Sequence, residues 1–524
     1  MNRKPIQQDA YEALMSYARK QKDTRIQDYF IREPGRKEAM RITGGKLKWD
    51  FSRQRTGIEG IRLMVRWAES IGIGQAAGAL SGGKPVNHTE RRPALHTALR
   101  SSGKEAVTVN GKDVIPEILE TRERIRELSS AIRSGKLRSA TGDTITDILH
   151  IGIGGSHLGP EMVYTALYDY KSEGSPEVHF LSNVDGDGVW RVLKNLDPSR
   201  TMAIVVSKSF GTVETLTNAS LVREWLEAAL PEKDISAQLV AITANTDKAV
   251  QSGYRREYVL PLWDWVGGRF SVWGSVGLSI AAGLGYEVYE ELLRGARQMD
   301  EHFKGKPLGQ NIPVLMALLS WWNIEVHGAC AEAVLPYSSA LKLLPAYLQQ
   351  LVMESNGKST DIEGKPVTYH TAPVIFGAAG TDAQHSFMQL IHQGTRYIPV
   401  DFIGFKEPYY DRYPESHRIL SAHLEAQSRA LAYGKSPDMA HLDMKIKGQA
   451  ADIERLLPYR TFAGNRSSNV FVWDKLTPET LGQLLALYEH KTYIQALLWR
   501  INPFDQFGVE LGKELAGKIL KQTL

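Results

Sequence analysis

Apolar positions along this chain fall into two stretches of strand–helix alternation, flanked and separated by helical spacing. Residues 8–20 repeat at helical intervals, RRPALHTALR predicts a further short helix, and Gly44-Gly45 and Ser81-Gly82-Gly83 mark turns. The first hundred or so residues therefore predict helices and loops. Next come apolar runs that predict strands over 147–151, 177–181, 202–206 and 237–243, with helices over 158–170, 187–195 and 216–229. Continuous apolar strands separated by helices predict an open, mainly parallel sheet covered on both faces. From about residue 286 the spacing is helical again, and VLMALLSWWNIEVHG is apolar on three sides, as a buried helix would be. A second, shorter alternation contains VLPYS, APVIFG, YIPVDFIG and SNVFVWD. The fold class is thus α/β, with two similar doubly wound domains and helical extensions at both ends. In this reading, 1–110 is a helical N-terminal extension and 111–285 the first α/β domain. Residues 286–500 form the second, with helical insertions, and 501–524 a C-terminal helical arm.

Composition narrows the class without altering that picture. A chain of 524 residues, 43% hydrophobic and 23% charged, reads as a soluble globular protein of two or more domains. One cysteine, Cys330, excludes a disulfide framework and a cysteine-based metal cluster, and fits a reducing compartment. The opening MNRKPIQQDAYEALM lacks a secretory apolar core, and no apolar run is long enough to span a bilayer. A cytoplasmic protein without a membrane partner is expected. A net charge of +4 is too small to argue for nucleic acid.

The chemistry concentrates in MAIVVSKSFGTVET, residues 202–215. An apolar strand opens into a loop with Ser207, Lys208, Ser209, Gly211, Thr212 and Thr215, and a helix is expected from about Leu216. Unpaired N–H groups at a helix start, with hydroxyls and an ammonium around them, suit a phosphate dianion. The loop lacks the G-x-x-x-x-G-K-[ST] pattern, so a nucleoside triphosphate is not its natural guest. Helix capping by Ser209 or Thr212 beside a solvated lysine is the plainer alternative. HIGIGGSHLGP, residues 150–160, invites a dinucleotide reading, but the third glycine of G-x-G-x-x-G is replaced by His157. Its glycines, Gly155 included, instead let backbone approach a ligand, with Ser156 as an added donor. Two parallel strands can bring both loops to one crevice.

Candidates for moving protons lie later in the chain. Glu354 sits in LQQLVMESNGKST, just after an apolar helix; taken alone it reads as a solvated glutamate. His385 falls in GAAGTDAQHSFMQLIHQG, in the first turn of a helix capped by Thr381 or Asp382, where the dipole would disfavour imidazolium. A structural histidine fits equally. Gln506 and Lys513 in INPFDQFGVELGKELAG share one face if that helix is continuous, as they would on any exposed C-terminal helix. No histidine pair has i, i+4 spacing, so neither zinc nor another metal is expected, and there is no G-x-S-x-G elbow. A carboxylate, a histidine and cations around a phosphate cradle suit proton transfer on a sugar phosphate without a cofactor.

These segments together resemble the glucose-6-phosphate isomerase family of the SIS (sugar isomerase) group, over nearly the whole chain. The resemblance is carried by TERRPALHTALR, NGKDVIPEI, IGIGGSHLGP, SNVDGDGVWRVLKNLDPSRT, SKSFGTVETLTNA, VGGRFSVWGSVGLS, AYLQQLVMESNGKST, GTDAQHSFMQLIHQG, LALYEHKTYIQALLW and FDQFGVELGK. VGGRFSVWGSVGLS and FDQFGVELGK are highly specific to it. The sequence departs from the family at His157, where an acid is usual, at Gly211 and Val213, where threonine and glutamine are usual, and across Gly377–His385. The resemblance implies interconversion of glucose 6-phosphate and fructose 6-phosphate in glycolysis and gluconeogenesis. By that resemblance Ser156, Ser207, Lys208, Ser209 and Thr212 hold phosphate. Glu354 is then the base between C2 and C1, and His385 and Lys513 open the ring. Arg269 faces the enediolate, and Gln350 and Gln506 position substrate. It also implies a homodimer, with the histidine crossing from the partner subunit. A non-catalytic sugar-phosphate sensor, or an isomerase for another hexose phosphate, is the alternative.

Overall fold

The computed structural model describes residues 5–523. Two compact units share the chain. One gathers Met1–Ala76, Gln298–Gln349 and Pro373–Leu498; the other gathers Ala77–Arg297, Gln350–Ala372 and Trp499–Leu524. The sequence reading set four consecutive segments, whereas each unit interleaves three. Periodicity locates changes of element type along a chain, but it cannot reveal that 350–372 packs with stretches far from it in sequence.

The unit containing Ala77–Arg297 is built on a five-stranded parallel sheet. Its spatial order is Glu177–Leu181, Asp147–Ile151, Thr201–Val206, Leu239–Thr243 and Val259–Pro261. Thr201–Val206 is buried at every position, as expected of a central strand with helices on both faces. On one side the sheet contributes Leu149, Ile151, Val205 and Ala241 to a core shared with Val222 and Leu226 of the helix Val213–Ala229. That helix begins earlier than expected, because Thr212 already takes extended N-cap backbone and Val213 starts the first turn. Conversely, the strand expected from 237 begins only at Leu239, after a 3-10 turn over Ile235–Gln238 capped by Asp234.

The other unit carries a six-stranded sheet. Val374–Gly377, Ala331–Pro336, Val400–Phe405 and Ser468–Trp473 run parallel in that spatial order, and Leu47–Asp50 and Arg41–Gly44 extend it antiparallel. This hairpin corrects the expectation that the N-terminal hundred residues are only helices and loops. Its strands have four residues each, too few for alternation to register, yet Leu47 and Trp49 are fully buried. RRPALHTALR is likewise mostly irregular, with only a 3-10 turn over Ala98–Arg100. The helix Ile312–Glu325 is buried at every residue except Glu325, as its all-round apolarity requires. Among the described residues, no helix is long and apolar enough to cross a membrane.

In both sheets the strand order reverses beside the first strand, which produces the SIS-type doubly wound arrangement. Ligands of such sheets bind beyond the carboxyl ends of the strands at that reversal.

Candidate active site

In the five-stranded sheet the reversal lies between Asp147–Ile151 and Thr201–Val206, which pair in parallel with Ile151 opposite Val205. Their following loops, Gly152–His157 and Ser207–Thr212, therefore leave one edge together, as the sequence reading expected.

The first loop is shaped by its glycines. Gly154 has φ +58, a left-handed conformation that favours glycine. A Cβ on Gly155 would lie 2.0 Å from the carbonyl carbon of Gly268, so this loop and the backbone of the Gly268–Phe270 turn touch directly. Ser271 Oγ donates to Gly155 O at 3.2 Å across the same contact. Beneath the loop, fully buried His150 bonds Ser156 O through Nε2 at 2.6 Å and Ser279 Oγ through Nδ1 at 3.0 Å. Burial, the larger influence, lowers its pKa to about 4, so the ring is neutral and both nitrogens are satisfied. His157 turns away to Glu161, with Nε2 3.0 Å from its carboxylate.

The second loop reverses at Phe210, a non-glycine residue with φ +47 whose ring is buried in the core. Such conformations persist only where the surroundings enforce them, and they cluster at ligand sites. Ser207 Oγ donates to Thr212 Oγ1 at 3.2 Å, while Ser209 is exposed beside Gly211. Lys208 does not point its ammonium into the open loop. Its Nζ donates to the carbonyls of Asp264 and Val266 at 3.0 and 3.1 Å, tying this loop to the segment that leads into Arg269. Burial, with a further contribution from Arg92, lowers the Lys208 pKa below its ordinary range.

Arg269 is the hub of the site. Its Nε donates to Ser355 Oγ at 2.6 Å, and its Nη1 to Glu354 Oε1 and Gln506 Oε1, both at 3.1 Å. Nη2 donates to the carbonyls of Pro503 and Asp505. All five guanidinium N–H donors are thereby used. Burial lowers its pKa, and Glu354 and Asp505 oppose that shift; an arginine nonetheless remains charged. Glu354 closes a π-helical stretch, Gln349–Glu354, a local widening that recurs at functional sites. Its Oε2 accepts from Gln350 Nε2 at 2.8 Å, and its side chain stays 24% exposed. Gln350 in turn packs on the glycine loop, where a Cβ on Gly154 would stand 3.1 Å from its Nε2. The carboxylate is thus oriented through both oxygens yet open to solvent, and is linked to the Gly152–His157 loop through Gln350.

Three side chains of this network, those of Ser355, Lys358 and Asp505, escaped the sequence reading. Ser355 accepts from Arg269. Lys358 Nζ donates to the carbonyls of Glu354, Ser355 and Asp505 at 2.7, 3.0 and 3.0 Å and lies 3.3 Å from the Asp505 carboxylate. Lys358 lies just past the end of the helix that carries Glu354, where a lysine commonly meets the last carbonyls of a helix.

His385 and Lys513 are not part of this network. His385 is exposed, belongs to the other compact unit, and occupies the C-cap of the short helix Gly380–Gln384, not a first turn. The N-cap is Ala379, not Thr381 or Asp382, so the expected effect of the helix start on imidazolium does not apply. Lys513 is exposed on the helix Glu510–Thr523. Gln506 lies before that helix, separated from it by the 3-10 turn Phe507–Val509, so the two do not share one helical face. Among the described residues, no group of three or more His, Cys, Asp or Glu side chains is placed to hold a metal ion.

The chain as a whole is similar to proteins of one family. Residues 50–524 match the family described as phosphoglucose isomerase. A glucose-6-phosphate isomerase of Christiangramia forsetii is 42% identical over 522 residues, covering 99% of this chain and 96% of that one. One from Methylococcus capsulatus is 44% identical over 499 residues, covering 95% and 91%. The crystal structure of a glucose-6-phosphate isomerase from Chlamydia trachomatis superposes with a TM-score of 0.87 at 33% identity, covering 98% of this chain and 95% of that one.

Proposed function

The chain belongs to the phosphoglucose isomerase family, and on that premise we propose that it interconverts D-glucose 6-phosphate and D-fructose 6-phosphate, as a step of glycolysis and gluconeogenesis. Ring opening precedes proton transfer through a cis-enediol. Glu354 is the base. A carboxylate can reach two adjacent carbons by a small rotation, and this one is anchored through Oε1 on Arg269 and Oε2 on Gln350 while keeping an open side. A positioned acid–base group of this kind is worth about 10²–10⁴-fold.

The C2 proton of an aldose is weakly acidic, so negative charge builds on the oxygens as it leaves. Arg269 supplies a fixed positive charge beside Glu354 and cannot compete for the proton. Gln506, on the same guanidinium nitrogen as Glu354, is placed to exchange that contact for a sugar hydroxyl. Gly155, Ser156, Ser207, Ser209 and Thr212 take the phosphate at the sheet reversal, and Lys208 holds their loop in place. Binding that distant anion orients C1 and C2 over the base. His385 and Lys513 serve ring opening.

We propose further that the working form is a homodimer in which His385 comes from the partner copy. His385 is exposed on the unit that lacks Glu354. The helix carrying Lys513 exposes Leu511, Leu515 and Ile519 at four-residue intervals, an apolar stripe that association would cover. A reducing, cytoplasmic setting agrees with a single exposed cysteine, Cys330.

The observation that carries this reading is the two-point anchoring of Glu354 beside a saturated arginine. Its test is product formation by the purified chain, with glucose 6-phosphate and mannose 6-phosphate supplied separately. Fructose 6-phosphate from the first substrate is expected, and should persist after exhaustive chelation. Thermal stabilisation by glucose 6-phosphate with no product would instead mark a sensor.

A further inference from the structure

Lys208, the lysine of the proposed phosphate loop, spends its ammonium on two backbone carbonyls. A different ammonium occupies the mouth of that loop. A Cβ on Gly211 would stand 3.4 Å from Lys248 Nζ and 3.5 Å from Ser209 Oγ, so both groups flank one point beside the glycine. Lys248 lies on the short helix Thr246–Gln251, and its position relative to the loop is fixed by the backbone. Ala244 N and Thr243 Oγ1 both donate to Lys208 O, at 2.9 and 3.1 Å, and Ser207 N donates to Ile242 O at 3.0 Å. Asn245 Oδ1 caps the helix by accepting from Lys248 N itself at 3.2 Å. The segment bearing Lys248 and the loop bearing Ser207–Thr212 are therefore stitched together at three points.

From this arrangement we propose that Lys248 is a substrate-binding residue, supplying the mobile positive charge that closes on the phosphate. At Gly211 a single added carbon would only touch the ammonium at ordinary contact distance, whereas a longer side chain would compete for the space beside it. The division of labour is physical. Lys208, partly buried and doubly bonded, keeps the loop in shape; Lys248, exposed and flexible, reaches the dianion and exchanges water for it. Lysine suits this task because its ammonium is a point charge with three rotatable donors. The inference rests on the isomerase reading for the identity of the ligand, though not for the site.

The test compares wild type with Lys248→Gln and Lys248→Arg. Because the side chain is exposed, both variants should fold as wild type does. In Lys248→Gln, KM for glucose 6-phosphate and the inhibition constant of inorganic phosphate should both rise about tenfold, the scale of one hydrogen bond to a charged group. Turnover at saturation should stay within about twofold, and the difference should shrink with added salt. Lys248→Arg should restore most of both constants. Unchanged KM and phosphate inhibition in an active Lys248→Gln enzyme would overturn the assignment, as would a fall in kcat alone. Thermal stabilisation by inorganic phosphate gives an independent reading. If wild type gains it and Lys248→Gln does not, the site stands even were no isomerase activity found; if both gain it equally, Lys248 is not part of the site.

Discussion

Each compact unit buries a cation against carboxylates, and the two clusters are finished in opposite ways. In the unit with the six-stranded sheet, Lys491 Nζ lies 2.6 Å from Glu332 and 4.0 Å from Asp401, and all three side chains are at most 8% exposed. Tyr488, Asn469 and Ser320 occupy the remaining carboxylate oxygens. No oxygen is left to meet a ligand, and the cluster reads as architecture. In the other unit Arg269 is as deeply buried, but its carboxylate partner keeps about a quarter of its side chain in solvent. The first cluster ties strands and helices together around compensated charge. The second fixes a guanidinium with every donor used and leaves one acid able to move. A buried ion pair thus becomes chemistry when one member is anchored and the other retains an open side.

The contrast can be broken at either end. The largest effect should come from Lys491→Met, which strands two buried carboxylates and should cost about 3–5 kcal/mol of stability. Denaturant unfolding would show it; a loss under 1 kcal/mol would mean that water or protonation already compensates the pair. Next is Arg269→Lys, which keeps the charge but cannot make five bonds. Turnover should fall about 10²-fold with stability changed less than in Lys491→Met, and near-normal turnover would remove Arg269 from the enediolate.

Smaller effects sharpen the account. Lys208→Ala should loosen the loop and raise KM about tenfold, with less effect on kcat. Because burial lowers the Lys208 pKa, wild-type KM should start to climb at a lower pH than an ordinary lysine would give, and the variant should lack that early rise. The subtlest is Asp401→Asn. Burial raises the Asp401 pKa, with Glu332 adding to the shift and Lys491 opposing it. The folded chain therefore holds this proton more tightly than the unfolded one. Its stabilising contribution is full below the unfolded titration and is lost as pH rises through the folded one. Asp401→Asn should remove that slope, seen as a pH-dependent difference between the two unfolding curves; parallel curves would place the charge elsewhere.

How much of this was legible in the sequence differed between the two units. Strands such as Asp147–Ile151 and Thr201–Val206 declare themselves because central parallel strands are apolar on both faces. The hairpin at Arg41–Asp50 did not, since four-residue strands carry too little pattern. That the loops after Ile151 and Val206 leave one sheet edge was legible from the two apolar strands before them, but the direction of the Lys208 ammonium was not, because local sequence does not reveal which carbonyls lie opposite. Glu354 taken alone looked like any surface glutamate; only the arrival of Arg269 from 85 residues earlier separates it from one. His385 shows the reverse failure. The motif around it resembles a helix start, while the helix there is so short that the residue lands at its far end.

The central claim, that Glu354 carries a proton between two sugar carbons, is met most directly by running the reaction in D₂O and following glucose 6-phosphate and fructose 6-phosphate by proton NMR. Wild type should exchange solvent deuterium into the transferred position during turnover. Glu354→Gln should lose both exchange and turnover by about two decades or more while still being stabilised by inorganic phosphate. Exchange and turnover at wild-type rates in that variant would contradict the account.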